Sequence, residues 1–200
     1  MQKEIEHIKE ITKNGNEYDD MDRFVDRYRN RALRECRKYN FLINSENKYD
    51  LDILKNLFNK MGENVYIESN FNCELGFNIS MGNNIYINHD MVILDCSDVT
   101  IGNDVYIGPR VALFCANHAE DPIDRANHVV YAKPIYIGDK VWLGGNVSVL
   151  QGVSIGENTI IGAGSVVTKD IPPNVIAAGN PCKVIRPIRE KDRNQTKKDE

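Results

Sequence analysis

Chemistry in this chain can be sought first in "CANHAEDPIDR", Cys115 to Arg125, which holds one of only four histidines. An imidazole titrates near neutrality and can take a proton from a hydroxyl as that hydroxyl attacks a carbonyl. His118 is therefore a candidate general base, set among Asn117, Asp121, Asp124, Arg125, Asn127 and His128. By itself an isolated histidine is more often structural, and no Ser-His-Asp constellation is visible to make a covalent route. The five cysteines, Cys36, Cys73, Cys96, Cys115 and Cys182, are odd in number and unpaired in spacing, as expected of reduced thiols rather than a disulfide framework or a zinc site.

The position of His118 gains weight from its surroundings. From about Asn64 inward-type aliphatic residues recur every six positions. Ile137, Leu143, Val149, Ile155, Ile161 and Val167 keep the step, as do Met81, Ile87, Ile93 and then Ile101, Ile107, Leu113, with two extra residues between those last two sets. Glycine follows many of them, at Gly82, Gly102, Gly108, Gly138, Gly144, Gly156 and Gly162. One short strand and one turn per hexapeptide closes a three-sided coil, and each coil needs neighbours above and below to bury its aliphatic residues. A parallel β-helix is the expectation; an antiparallel sandwich would space its strands less evenly. Residues 115–134 carry no hexapeptide although the register resumes at Ile137, so that stretch must be extruded as a loop, and His118 lies where the chain leaves the coil.

Residues 1–60 follow a helical pattern instead. Met21, Phe24, Val25, Tyr28, Ala32, Leu33, Cys36 and Tyr39 form one apolar stripe, with "YDD" placed to cap it. A second helix is expected from about Asp50, with Leu51, Leu54, Leu57, Phe58 and Met61 on one face. The chain divides into this helical segment, a coil over 61–188 and a charged, solvated tail over 189–200. A net charge of −4 argues against a nucleic-acid face. No apolar run is long enough to span a bilayer, and the charged "MQKEIEHIKE" start is unlike a signal peptide, so the cytoplasm is the default expectation.

The run "IGDKVWLGGNVSVLQGVSIGENTIIGAGSVVTKDIPPNVIAAGNPCKVIRPI", with "YRNRALRECRKYN" upstream, closely resembles the maltose and galactoside O-acetyltransferase group of the hexapeptide-repeat acyltransferases. The resemblance covers nearly the whole chain. It implies a left-handed parallel β-helix with a helical N-terminal appendage, a homotrimer with sites between subunits, and direct transfer of an acetyl group from acetyl-CoA to a sugar hydroxyl, with no metal. It assigns His118 as the base, although Ala119-Glu120 departs from the family's commoner pair. Asp20, Arg29, Glu74 and Asp95 with its neighbour Cys96 match acceptor-site positions, where Cys96 leaves one carboxylate fewer than the family has. Asp20 and Arg29 could equally be a helix cap and a solvated charge.

Asn88, Trp142, Gly145, Ala163, Thr168, Lys169, Lys183 and Arg186 match coenzyme A contacts. Basic side chains suit a pyrophosphate and a 3′-phosphate, and a backbone N–H at a corner such as Gly145 suits a developing oxyanion. Asn88 could equally be a corner asparagine, and Trp142 a packing aromatic. Three other readings stay open: a zinc-dependent carbonic anhydrase of the same coil using His89, His118 and His128, an inactive interaction module, and an acetyltransferase for a drug, an amino-acid hydroxyl or a nucleotide-sugar amine.

Overall fold

The computed structural model describes residues 2–12 and 15–189. Three parallel sheets form the sides of a coil. The first side stacks strands Lys60–Met61, Ile79–Met81, Val99–Ile101, Ile135–Ile137 and Ser154–Ile155. The second stacks Val65–Ile67, Ile85–Ile87, Tyr106–Ile107, Trp142–Leu143, Ile160–Ile161 and Val175–Ala178, closed by the antiparallel Lys183–Pro187. The third stacks Asn72–Cys73, Val92–Leu94, Ala112–Phe114, Ser148–Leu150 and Val166–Val167. Inward residues such as Ile87, Ile93, Leu113, Ile137, Leu143 and Val149 are fully buried in one continuous core. Each contributes roughly 1.5–3 kcal/mol by leaving water. The hexapeptide register and the parallel coil are as the sequence implies.

The corners explain the asparagines and aspartates. Asn64, Asn84, Asp104, Lys140, Asn158 and Asn174 form one column at positive φ, between 52° and 63°. Short polar side chains tolerate that backbone and hydrogen-bond locally. Here they also bond along the column, Asn64 Nδ2 to Asn84 Oδ1 at 3.0 Å and Asn84 Nδ2 to Asp104 Oδ1 at 2.9 Å.

The N-terminal region departs from the expectation in three ways. Helix α1 (Gln2–Ile11) is followed by a three-residue strand, Glu17–Asp19, and only then by α2 (Arg23–Glu46). Asp22, not the "YDD" triplet, caps α2, accepting from the N–H groups of Phe24 and Val25 at 2.8 and 3.2 Å. Helix α3 is a single turn, Asp52–Lys55, because the chain must reach the first coil strand, where Met61 lies. Of the predicted stripe, Val25, Tyr28, Ala32, Cys36 and Tyr39 are buried, with Tyr39 donating to the Ile67 carbonyl at 2.6 Å, whereas Met21 and Leu33 are exposed. Of the tail, residues 190–200 lie outside the described residues.

The loop is ordered by pairing rather than merely extruded. Ala116–His118 runs antiparallel to Val129–Ala132, and the same strand takes Glu17–Asp19 on its other edge. Between them α4 (Pro122–Ala126) is capped by Asp121. A small sheet thus ties the N-terminus to the excursion that carries His118.

Candidate active site

One corner of the coil, leading from the third side to the first, is enlarged in three successive turns. Inward residues there are eight apart rather than six, from Cys73 to Met81 and from Ile93 to Ile101, and in the next turn the corner becomes the loop. The enlarged corners stack and leave a cavity of about 250 Å³ lined by Asp20, Glu74, Leu94, Cys96, Ala116, Asn117, His118 and Val130. Four residues singled out from sequence, His118, Asp20, Glu74 and Cys96, share this cavity.

Arg29, on α2, ties together two of the lining carboxylates. Its Nη2 donates to Asp20 Oδ1 at 2.7 Å and its Nε to Glu74 Oε1. Burial disfavours the Arg29 charge, but the two carboxylates outweigh it and hold the guanidinium above its ordinary range. Each carboxylate spends one oxygen on the fork, and the other oxygen can take hydroxyl hydrogens.

His118 ends its strand, exposed, in register with Val130. The chain beyond it is pinned: Arg125 Nη1 donates to the carbonyls of Ala119 at 3.0 Å and Glu120 at 2.9 Å. The Ala119 N–H donates to the Val129 carbonyl at 3.0 Å. The substitution at Ala119-Glu120 therefore leaves the histidine's anchorage intact.

Asp95 must be corrected as an acceptor-touching residue, since it is fully buried beneath the cavity. Its Oδ1 accepts from the N–H groups of Glu74 and Leu75, both at 2.9 Å, and its Oδ2 from Gly76 at 2.6 Å. Burial pushes its carboxyl up to about 6, opposed by those backbone bonds. It shapes the corner that presents Glu74. Cys96 is also buried, against the Tyr18 hydroxyl, and burial pushes its thiol up to about 12. The cavity meets it as a neutral, weakly polar surface.

Most of the residues matched to coenzyme A fall on other parts of the coil. Asn88, Gly145 and Ala163 lie on the corner from the second side to the third, and Trp142 projects, 52% exposed, from the second side. Gly108 and Gly144 lie on the same corner because a Cβ there would meet the backbone of the next turn at 2.6 Å. The Asn88 carbonyl oxygen of the side chain accepts from the His89 N–H at 2.8 Å, as a corner asparagine does. Thr168 and Lys169 are exposed at the corner shared by the cavity, at the far end of the coil, and Lys183 and Arg186 lie on the closing strand. One whole side separates Asn88 from the cavity, roughly 20 Å of extended chain at ~3.3 Å per residue.

A family model for the bacterial transferase hexapeptide (six repeats) matches residues 134–169. The chain is 42% identical to the galactoside O-acetyltransferase of Escherichia coli (strain K12) over 147 residues, covering 74% of this chain and 72% of that protein. It is 39% identical to the galactoside O-acetyltransferase of Lactococcus lactis subsp. lactis (strain IL1403) over 162 residues, 80% of this chain and 78% of the relative. This chain belongs to the maltose and galactoside O-acetyltransferase group of the hexapeptide-repeat acyltransferases. Among solved structures it superposes on a galactoside acetyltransferase in complex with coenzyme A with a TM-score of 0.89 at 40% identity, covering 96% of both chains. A maltose O-acetyltransferase from Clostridium difficile 630 gives 0.87 at 40% identity, covering 91% of this chain and 97% of that one.

Within this acetyltransferase, sequence reasoning missed Leu94, Ala116 and Val130, which complete the cavity, and Tyr18, whose hydroxyl meets Cys96. The doubled residues after Glu74 and after Asp95 were the available signal for Leu94. Nothing in a three-residue stretch such as Glu17–Asp19 marked Tyr18. His89 sits on a different corner from His118, and among the described residues no group of three His, Cys, Asp or Glu side chains is placed to hold a metal ion. Among those residues, too, no helix is long and apolar enough to cross a membrane.

Proposed function

We propose that this chain transfers the acetyl group of acetyl-CoA to a sugar hydroxyl, with His118 as general base. The observation that carries the reading is the cavity that His118 lines together with Asp20 and Glu74, both held by Arg29. The free carboxylate oxygens and the Arg29 fork suit vicinal hydroxyls. His118 removes the proton from the attacking hydroxyl as its oxygen bonds to the thioester carbonyl carbon. The C–S bond then breaks and the proton passes to the departing sulfur. A backbone N–H at the Gly145 corner suits the developing oxyanion. Lys169, Lys183 and Arg186 suit the coenzyme's phosphates, and the small residues Gly145 and Ala163 admit its arm beside the backbone.

The cavity and the column of Asn88, Gly145 and Ala163 lie on different corners of one chain, which favours a homotrimer in which each corner meets a neighbour's. His118→Ala should abolish acetyl transfer to a galactoside or to maltose while acetyl-CoA still binds. Near-normal turnover would end the assignment. Sedimentation equilibrium showing a stable monomer that is fully active would end the shared site.

A further inference from the structure

The corner that carries Gly145 and Ala163 is a column with one residue per turn. Backbone bonds link successive turns: Asp90 N–H to Ser69 carbonyl, Arg110 to His89, Asn146 to Pro109, and Gly164 to Gly145, at 2.8–3.1 Å. Ser69, His89, Pro109, Gly145 and Ala163 therefore stack in line. With turns ~4.8 Å apart, His89 stands roughly 14 Å along the axis from Ala163, and beside Asn88. If the coenzyme arm follows Ala163 and Gly145, His89 is at the reacting end of its track.

The His89 ring is oriented by neighbours that belong to no assigned site. Its Nδ1 lies 3.3 Å from Ser69 Oγ and 3.8 Å from Glu68 Oε2. Glu68 is itself held by two tyrosine hydroxyls, Tyr49 donating at 3.0 Å and Tyr86 at 3.1 Å, with Tyr49 and Tyr86 ranged either side of Tyr66 in a ring stack. Both the hydroxyl and the carboxylate approach the same ring nitrogen, so this is no nucleophile–base–acid relay. It is a mount. With the proton on Nδ1, the side that faces the carboxylate, the Nε2 lone pair is left on a side chain that is 53% exposed.

We infer that His89 is an acceptor-binding, specificity-determining residue whose Nε2 takes a hydrogen bond from a hydroxyl of the sugar. The reacting end of an acetyl thioester offers no donor for that lone pair, whereas the sugar offers several. The inference rests on the proposed shared site, since His89 reaches the cavity only across a subunit boundary.

The test is steady-state kinetics on the intact assembly with acetyl-CoA and either a galactoside or maltose. His89→Ala should raise the acceptor KM about tenfold, with the acetyl-CoA KM unchanged within twofold and the melting temperature unaltered. His89→Gln, whose amide oxygen can accept, should recover part of the loss. Glu68→Gln should raise the acceptor KM by less, and should add nothing in the His89→Ala background if it acts only through the ring. If His89→Ala leaves the acceptor KM within twofold, or raises the acetyl-CoA KM instead, while His118→Ala is inactive, the inference fails and the base assignment stands. If His118→Ala stays active, the site reading fails and takes this inference with it.

Discussion

Replacing Gly144 by alanine tests the packing of the corner that would receive the coenzyme. A Cβ at Gly144 would lie 2.6 Å from the Ala163 N and 2.9 Å from its Cα, with the Ile161 carbonyl at 3.0 Å. All three are backbone atoms, tied by the Gly144 N–H to Ile161 carbonyl bond at 2.8 Å. Restoring an ordinary 3.4 Å contact opens the turns by roughly 0.8 Å, an overpacking cost of about 1–3 kcal/mol. For a domain of this length that is roughly 2–12 °C in melting temperature. Gly164 supplies the contrast: its φ is +73° and nothing stands within 4 Å of a Cβ there. Its penalty is conformational, about 1–2 kcal/mol for alanine in the left-handed region and less for asparagine. The rank order should reverse between the two sites. Asparagine is worse than alanine at 144, where size is penalised, and better at 164, as Asn70 and Asn146 in that same column suggest. Urea denaturation of the four variants measures this. Gly144→Ala within 0.5 kcal/mol of the parent, or an order that does not reverse, would refute the reasoning.

Arg125→Ala frees the carbonyls that follow His118, and should lower kcat about tenfold, about 1.4 kcal/mol in the barrier, with little change in the acetyl-CoA KM. Exogenous guanidinium should restore part of that loss; an unchanged kcat counts against pinning by Arg125. Asp95 holds its proton to about 6 in the folded chain against an ordinary 3.8, so its contribution to stability is full below about pH 4 and is lost as pH rises to about 6. The swing is up to about 3 kcal/mol. Comparing urea unfolding of parent and Asp95→Asn at pH 4.5 and 7 should show the gap between them shrinking at the higher pH; a gap that is constant or widens contradicts the assignment. Cys96, pushed up to about 12, should resist iodoacetamide at pH 8 in the native protein and react once unfolded in urea, read by peptide mass mapping. Modification of Cys96 in the native protein would contradict its role as a buried, neutral thiol.

The coil was legible because its period is its geometry: one residue in six points inward, and no other element repeats so evenly. Even the enlarged corner was visible, as two residues too many between Ile93 and Ile101. What escaped depended on distant partners. Glu17–Asp19 is a strand only because Val129–Ala132 offers it an edge. Asp95 looked like a site carboxylate, and its burial is decided by three N–H groups from the preceding turn. Met61 fitted the helical stripe of Leu54, Leu57 and Phe58, but an inward coil position also demands an apolar residue, and that demand prevailed. In "YDDMD" three aspartates compete to cap one helix, and only the start of α2 selects Asp22.

Bulging one corner while the other two stay tight has a consequence for how such a chain can diversify. Residues added between Leu113 and Ile135 alter neither the buried register nor the column through Gly145 and Ala163. Sequence change can thus accumulate along a single edge while the stacked interior is inherited unchanged.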